Sequence, residues 1–330
     1  MPRKSANERV TLDPAAVERF RRDVSALHSS PPGKDFSLGV AVSGGPDSLA
    51  LLLLAAAAFP GRVIAATVDH GLRPEAAEEA RFVGEICEAR GVPHHILTGT
   101  VSPGNVQEGA RDLRYALLAE WAEGRTRRVA TAHQRDDLAE TFLMRARRGA
   151  GVGGLAAMPA ARPLGGATLL RPLLDWSRAE LAAIVAAAGL APVQDPSNRD
   201  PRFDRVRMRR LLAESPELPA DRLTLAARNL RHAEDALAWA AAREWQARGA
   251  IDGDSVRLDA RDLPYELVRR LVERAVRAAA AGDGAPLRGE SLDHLVATLL
   301  SGGTGTIAGV KASAKHAEWR FSLAPARRSH

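Results

Sequence analysis

The stretch 36–58, "FSLGVAVSGGPDSLALLLLAAAA", constrains the fold more than any other part of the chain. A short, almost wholly apolar run of the kind buried on both faces of a parallel sheet breaks into a Gly-Gly-Pro bend. It then resumes as a leucine-rich segment long enough for a buried helix. Gly44 and Gly45 let the backbone come close to a bound group, and Pro46 suits a first helical turn, where its missing N–H costs nothing. Open α/β sheets bind ligands at such strand-to-helix junctions. Ser43 and Ser48 add hydroxyl donors and the first N–H groups of the helix add partial positive charge, so the bend reads as a cradle for phosphate. Asp47 would repel a phosphate unless a cation such as Mg2+ lies between them. The alternative is that Ser43 or Asp47 only caps the helix. The lysine and spacing of a Walker A loop are absent.

From 36 to 190, short β-like runs ("VIAATVDH", "VPHHILTGT", "RRVATAH") alternate with alanine-rich helical ones. That pattern predicts an α/β domain with a doubly wound, mostly parallel sheet. Between 191 and 218 the chain turns rich in Pro, Asp, Asn and Arg, which reads as an irregular loop, a basic helix and a boundary near Ser215. The expected organisation is an N-terminal extension with a helix (1–35), a catalytic domain (36–215) and a smaller, mostly helical domain (216–330). Within the last, "GTIAGVKAS" and "AEWRFSLAP" are candidates for a hairpin.

The formal net charge is +6, carried almost entirely by arginine, since Lys4, Lys34, Lys311 and Lys315 are the only lysines. A polyanionic partner suits this balance, although an alanine- and arginine-biased composition would produce it equally. Cys87 is the single cysteine, which excludes an intramolecular disulfide and fits core packing. No apolar h-region follows "MPRKSANERV", and the apolar run 49–59 is too short to span a bilayer. The expectation is a soluble, cytoplasmic protein without a membrane partner.

Three further constellations carry chemistry. If the segment after "RRVATA" is helical from its first residue, His133, Asp137 and Glu140 fall at i, i+4 and i+7 on one face. That face can hold Mg2+ or an amine substrate and accept protons, or it can be a solvated acidic helix start. In "GNVQEGARDLRYALLAEWA", Asn105 and Glu108 form a capping box, and Arg111, Arg114 and Tyr115 share a face. The Arg111 fork suits a carboxylate or a phosphate. Finally, Arg205, Arg207, Arg209 and Arg210 cluster behind Phe203, as phosphate and base contacts of an RNA would require, or as a solvated basic helix would display. The run 149–154, "GAGVGG", formally matches a dinucleotide fingerprint, but it follows a helix-like run and not a strand, which excludes that reading.

The bend resembles the SGGxDS signature of the PP-loop ATP pyrophosphatases, an adenine-nucleotide α-hydrolase-like fold. The ordered set "SGGPDS", "VDHGLRPEAAEEA", "QEGARDLRY", "AHQRDDLAETFLMRARRGAGVGGLAAM", "RPLLDWSRAEL" and "DPSNRDPRFDRVRMR" resembles the tRNA isoleucine-lysidine synthetase family over roughly 36–215. This resemblance implies ATP-dependent ligation of free lysine to carbon 2 of the wobble cytidine in the CAU anticodon of a minor isoleucine tRNA, through an adenylated intermediate. It assigns Ser43, Gly44, Gly45, Pro46, Asp47 and Ser48 to the pyrophosphate end of ATP; His133 is also expected at the ATP, and Asp47 is expected to hold Mg2+ and to take part in catalysis. Arg111, Asp137 and Glu140 fall to lysine and the reacting base, and Arg205 and Arg207 to a basic segment near the substrates; with Arg209 and Arg210 these are the expected tRNA contacts, and 216–330 is the expected tRNA-binding domain. A homodimer is left open. The competing readings are a tRNA thiolase of the same superfamily, for which Cys87 alone is a poor candidate, and an RNA- or nucleotide-binding protein without the chemistry.

Overall fold

The computed structural model describes residues 12–27, 36–69, 76–100, 106–156, 158–193, 202–280, 287, 289–315 and 318–324, the side chains of 106–108 excepted. The proposed capping box of Asn105 and Glu108 lies outside them. The chain forms two compact units, Met1–Arg231 and His232–His330.

In the first unit, α1 (Pro14–Ala26) leads into β1 (Leu38–Ala41), α2 (Pro46–Ala58), β2 (Val63–Asp69), α3 (Ala76–Glu88), β3 (His94–Thr98) and α4 (Val106–Ala122). There follow β4 (Arg128–Ala130), α5 (Arg135–Ala146), α6 (Val152–Leu155), β5 (Ala161–Leu164), β6 (Ala167–Leu170), α7 (Arg178–Ala187), α8 (Asp204–Glu214) and the start of α9 (Ala220–Arg248). The sheet order is β3-β2-β1-β4-β6-β5, parallel except for the edge strand β5. From β1 the chain builds outward through β2 and β3, then returns to pair β4 on the other side of β1. The carboxyl ends of β1 and β4 therefore flank a topological switch point, where a crevice opens.

Successive residues of β1 point to opposite faces of the sheet. Leu38 and Val40 enter a core with α2, whose Leu49, Leu51, Leu52 and Leu54 are all fully buried. A helix that is apolar all round must be covered on every side, and α1 and α7 flank it with Phe20, Val24, Leu181 and Val185. Helix α1 is thus part of the first core, not an appendage to it. On the opposite face, Leu118 and Trp121 of α4 pack with Val129 and Leu169. The α4 indole lies directly on Gly39, where a Cβ atom would stand 2.9 Å from the ring.

The units part inside α9, at Arg231, and not in the turn near Ser215. Tertiary contacts explain the difference: Thr224 donates to the Arg135 carbonyl at 3.2 Å and Ala227 packs with Leu138. The second unit is smaller, as expected, but carries more strand than its helical periodicity suggested. Strands β7 (Gly249–Asp252), β8 (Ser255–Leu258), β9 (Thr304–Ile307), β10 (Val310–Ser313) and β11 (Trp319–Leu323) form an antiparallel sheet in the order β7-β8-β11-β10-β9. The expected hairpin is its β10–β11 pair, with Val310 opposite Leu323. Helices α10 (Tyr265–Ala279) and α11 (Gly289–Leu300) bury Val268, Leu271, Val272, Leu292, Leu295 and Val296 with Val256, Leu258, Val310 and Phe321. Four-residue strands such as β7 and β8 are too short for alternation to register as a pattern. Among the described residues, no helix is long and apolar enough to cross a membrane.

Because Trp121 and Thr126 already stand 2.9 and 3.0 Å from the Cβ position of Gly39, Gly39→Ala should destabilise the first unit. The expected loss is about 1 to 3 kcal/mol, the usual cost of overpacking, seen as a lower urea midpoint with an unchanged slope.

Candidate active site

At the carboxyl end of β1, the Val42 N–H donates to the Ala66 carbonyl (2.9 Å) before the chain turns at Gly44, which has a φ of +80°. A side chain at Gly44 would be strained and would meet Val193 at 3.1 Å. The N-cap of α2 is Gly45, with Pro46 following and no side-chain cap. Neither Ser43 nor Asp47 caps the helix, so its N-terminus is left to an outside acceptor. Ser48 is buried and braces the loop: its hydroxyl donates to the Gly45 carbonyl (2.9 Å) and accepts from the Ser43 N–H (3.1 Å) and the Ser43 hydroxyl (3.2 Å). Ser43 itself is exposed.

Asp47 opens the first turn of α2, and its Oδ1 is buried without a hydrogen-bond partner, as is Nε2 of Gln134. Burial, together with the Asp137 carboxylate, raises the Asp47 carboxyl to about 6, against the lowering by Arg178, by the Gln134 amide close beside it and by Arg209. An orphaned carboxylate oxygen beside a second carboxylate and an uncapped helix N-terminus fits a divalent cation shared with phosphate oxygens. Among the described residues, no group of three or more His, Cys, Asp or Glu side chains could hold a metal by itself. A cation held by Asp47 would have to complete its shell with phosphate and water, as Mg2+ does when it takes one or two protein carboxylates.

Helix α5 begins at Arg135, so His133 precedes the helix and does not share its face. The cause is Gln134, whose side chain accepts from the Asp136 N–H (2.6 Å) while its own N–H donates to Asp137 Oδ2 (3.2 Å), a reciprocal cap that starts the helix two residues late. Asp137 and Glu140 do share a face, and it is crowded with arginine. Glu140 is fully buried and accepts from Arg178 (2.8 Å), Arg205 (3.0 Å) and Arg209 (2.9 Å). Burial would raise its pKa, but the bonds from Arg209 and Arg178 outweigh that and hold the carboxylate below its ordinary value. Asp137 is less compensated, with Arg205 at 3.4 Å and Arg178 at 3.8 Å, and burial raises its pKa.

Of the four clustered arginines, Arg205 and Arg209 therefore turn inward to Glu140. Arg207 pairs with Asp204, and Arg210 with Glu214 at 2.6 Å. On the α4 side of the same edge, the Arg111 guanidinium lies 5.8 Å and that of Arg162 4.3 Å from the centre of the Tyr115 ring. Between the two groups, His133 contacts Thr131 Oγ1 through Nδ1 (3.0 Å). Burial, with Arg171, Arg205 and Arg111 adding to it, pushes the imidazole down to about 3, so it is neutral near pH 7.

The sequence reading missed four residues of this site: Gln134, Arg162, Arg171 and Arg178. Arg178 had a local signal, since Ser177 and Glu180 form the capping box of α7 and make Arg178 its first residue. Its inward aim had none. A surface cleft lined by Ser37, Thr126, Arg128 and Ala167 lies at the opposite, amino end of the strands, away from every one of these groups.

The PP-loop domain family matches residues 17–215. A tRNA(Ile)-lysidine synthase of Novosphingobium aromaticivorans is 48% identical, over 95% of this chain and 95% of its own length. One of Zymomonas mobilis is 46% identical over 94% of each. Among solved structures, a tRNA thiolase from Methanococcus maripaludis aligns with a TM-score of 0.55 at 18% identity, over 66% of this chain and 80% of that one, a likeness of fold alone. A PP-loop domain over more than half of the chain, and relatives aligned along nearly all of it, mean that the chain belongs to the tRNA(Ile)-lysidine synthase family of PP-loop enzymes.

Proposed function

We propose that the protein uses ATP to attach lysine to the wobble cytidine of a minor isoleucine tRNA with a CAU anticodon. The cytosine oxygen at carbon 2 attacks the α-phosphorus of ATP and pyrophosphate leaves. The lysine ε-amine then forms a bond to carbon 2, the carbon–oxygen bond breaks, and AMP departs while the amine gives up its proton. The observation that carries this reading is the uncapped start of α2 with, in its first turn, a buried Asp47 oxygen that closes no hydrogen bond. Gly44, Gly45 and the first N–H groups of α2 hold the pyrophosphate end of ATP, with Ser43 and His133 nearby and Pro46 and Ser48 shaping the loop. Asp47 would hold Mg2+, which supplies neutralisation of the phosphate charge. Asp137, the acid with capacity left, faces the lysine ammonium. Glu140 acts through the arginines it gathers, since three guanidiniums occupy its oxygens. Arg111 contacts the substrates from the α4 side. Arg207 and Arg210 extend the RNA surface of the first unit, while Arg205 and Arg209 turn inward to Glu140. A cytoplasmic setting belongs to the same reading.

The thiolase alternative is weaker because Cys87 is fully buried and burial pushes its thiol up to about 12, which withholds the thiolate that sulfur transfer needs.

Radiolabelled lysine should become attached to the isoleucine tRNA transcript only when ATP is present, and retention of label without ATP would overturn the reading. Asp47→Asn should abolish pyrophosphate release yet stabilise the ligand-free fold. Its raised pKa means that the folded state binds this proton more tightly than the unfolded state does. Stability is therefore lost as pH rises from the ordinary carboxylate value toward about 6. At pH 7 the substitution should return about 1 to 3 kcal/mol in urea melts. In the unaltered protein, kcat/KM for ATP should fall as pH drops through about 6, where Asp47 takes up its proton. Asp137→Asn should raise the lysine requirement roughly ten- to a hundredfold while adenylated tRNA still accumulates without lysine. A folded Asp137→Asn protein that makes no adenylated tRNA would instead assign this carboxylate to ATP.

A further inference from the structure

The ligand edge of the sheet is divided by charge. Around Glu140, every guanidinium in contact has a carboxylate. On the α4 side, Arg111, Arg162 and Arg171 form no ion pair with a carboxylate among the described residues, although they lie close enough together to repel one another. Arg171, at the end of β6, is only 2% exposed. It donates to the Pro159 carbonyl at 2.5 Å, and its Nε is buried without a partner. Arg162 donates to the neighbouring Pro163 carbonyl at 3.2 Å. Burial lowers the pKa of Arg171, and Arg162 and Arg111 add to that while Tyr115 opposes it. Of the three only Arg171 is out of water; a buried cation without a carboxylate partner is costly, and an anion from outside would relieve that cost.

We propose that Arg111, Arg162 and Arg171, arranged around Tyr115, form a subsite for a phosphodiester of the RNA strand beside the reacting nucleotide. The inference rests on the function proposed above and deepens it. Two features favour a phosphodiester over the carboxylate of lysine. That carboxylate carries its own α-ammonium two bonds away, which an all-guanidinium pocket repels, whereas a phosphodiester brings negative charge alone. Several forked donors also match the oxygens of a phosphate group. Tyr115 does not serve as a stacking platform for a base, because guanidiniums already lie over its ring. Its side chain also lies within hydrogen-bonding reach of Arg171 and Arg162.

Two variants test this, Arg162→Gln on the partly exposed edge strand β5 and Arg171→Lys, which keeps the charge but removes the fork. Binding of the isolated anticodon stem-loop should weaken roughly tenfold or more in each. For Arg162→Gln the slope of log K against log salt should become shallower by about 1, and KM for lysine should not change in either variant. Unchanged stem-loop affinity with a raised KM for lysine would overturn the proposal in favour of a carboxylate subsite. If both quantities stay unchanged, the cluster is structural and the proposal fails. Should Arg171→Lys not fold, Arg162→Gln decides alone. Failure of the unaltered protein to join lysine to the tRNA would overturn the underlying function, and is distinguishable because it needs no variant.

Discussion

Glu140 is a carboxylate without access to solvent, and the geometry of the site depends on how its charge is met. Its two oxygens collect guanidiniums from α7 and α8, segments far from α5 in sequence. Loss of one arginine leaves Glu140 two partners, whereas loss of Glu140 leaves three guanidiniums gathered around no carboxylate oxygen of their own. Met208 is the one buried residue of α8, so this helix is held against α5 chiefly by charge. At its first turn, Asp204 takes Arg147 (3.0 Å) and Arg148 (2.8 Å) from the far end of α5. Apolar packing could bring the helices together at several rotations, whereas forked hydrogen bonds to one carboxylate accept only a narrow range.

A consequence follows for Asp47 and Asp137. The arginines that satisfy Glu140 reach Asp137 only at 3.4 and 3.8 Å, and Asp47 has one oxygen with no hydrogen-bond partner. Burial raises both acids. The α2 side of the ligand edge is thus short of positive charge and the α4 side short of negative charge, with the neutral imidazole of His133 between them. Each shortage is met by a substrate of the proposed reaction: a cation with ATP and an ammonium on one side, a polyanion on the other. Preorganised charges of this kind cost stability in the empty protein and act strongly once water is excluded.

Much of the site was legible in sequence because its chemistry is local. The strand, the glycine bend and the buried helix of 36–58 are adjacent residues whose conformations follow from their own side chains, and Gly44 adopts the positive φ that a glycine there suggests. Where the sequence reading went astray, a longer-range or finer interaction intervened. Gln134 capped α5 and removed His133 from its face. Arg205 and Arg209 read as an outward basic patch, because nothing in "DRVRMRR" announces that a buried glutamate some 65 residues upstream will take them. Their partner lies in a helix whose acidic face read either as a binding face for a cation or an amine, or as a solvated helix start.

The sequence by itself determined the doubly wound, mostly parallel sheet, since that rests on short-range pattern, and it carried the ordered motifs whose resemblance to a known family implied the class of reaction. Only the tertiary structure decided which charges are satisfied and which are left open. Whether Glu140 is an anchor or a hub, whether Arg171 has a counter-ion, and whether four-residue strands find partners in the second unit all depend on neighbours distant along the chain. Periodicity carries one element's burial, but it carries no information about what another element brings to meet it.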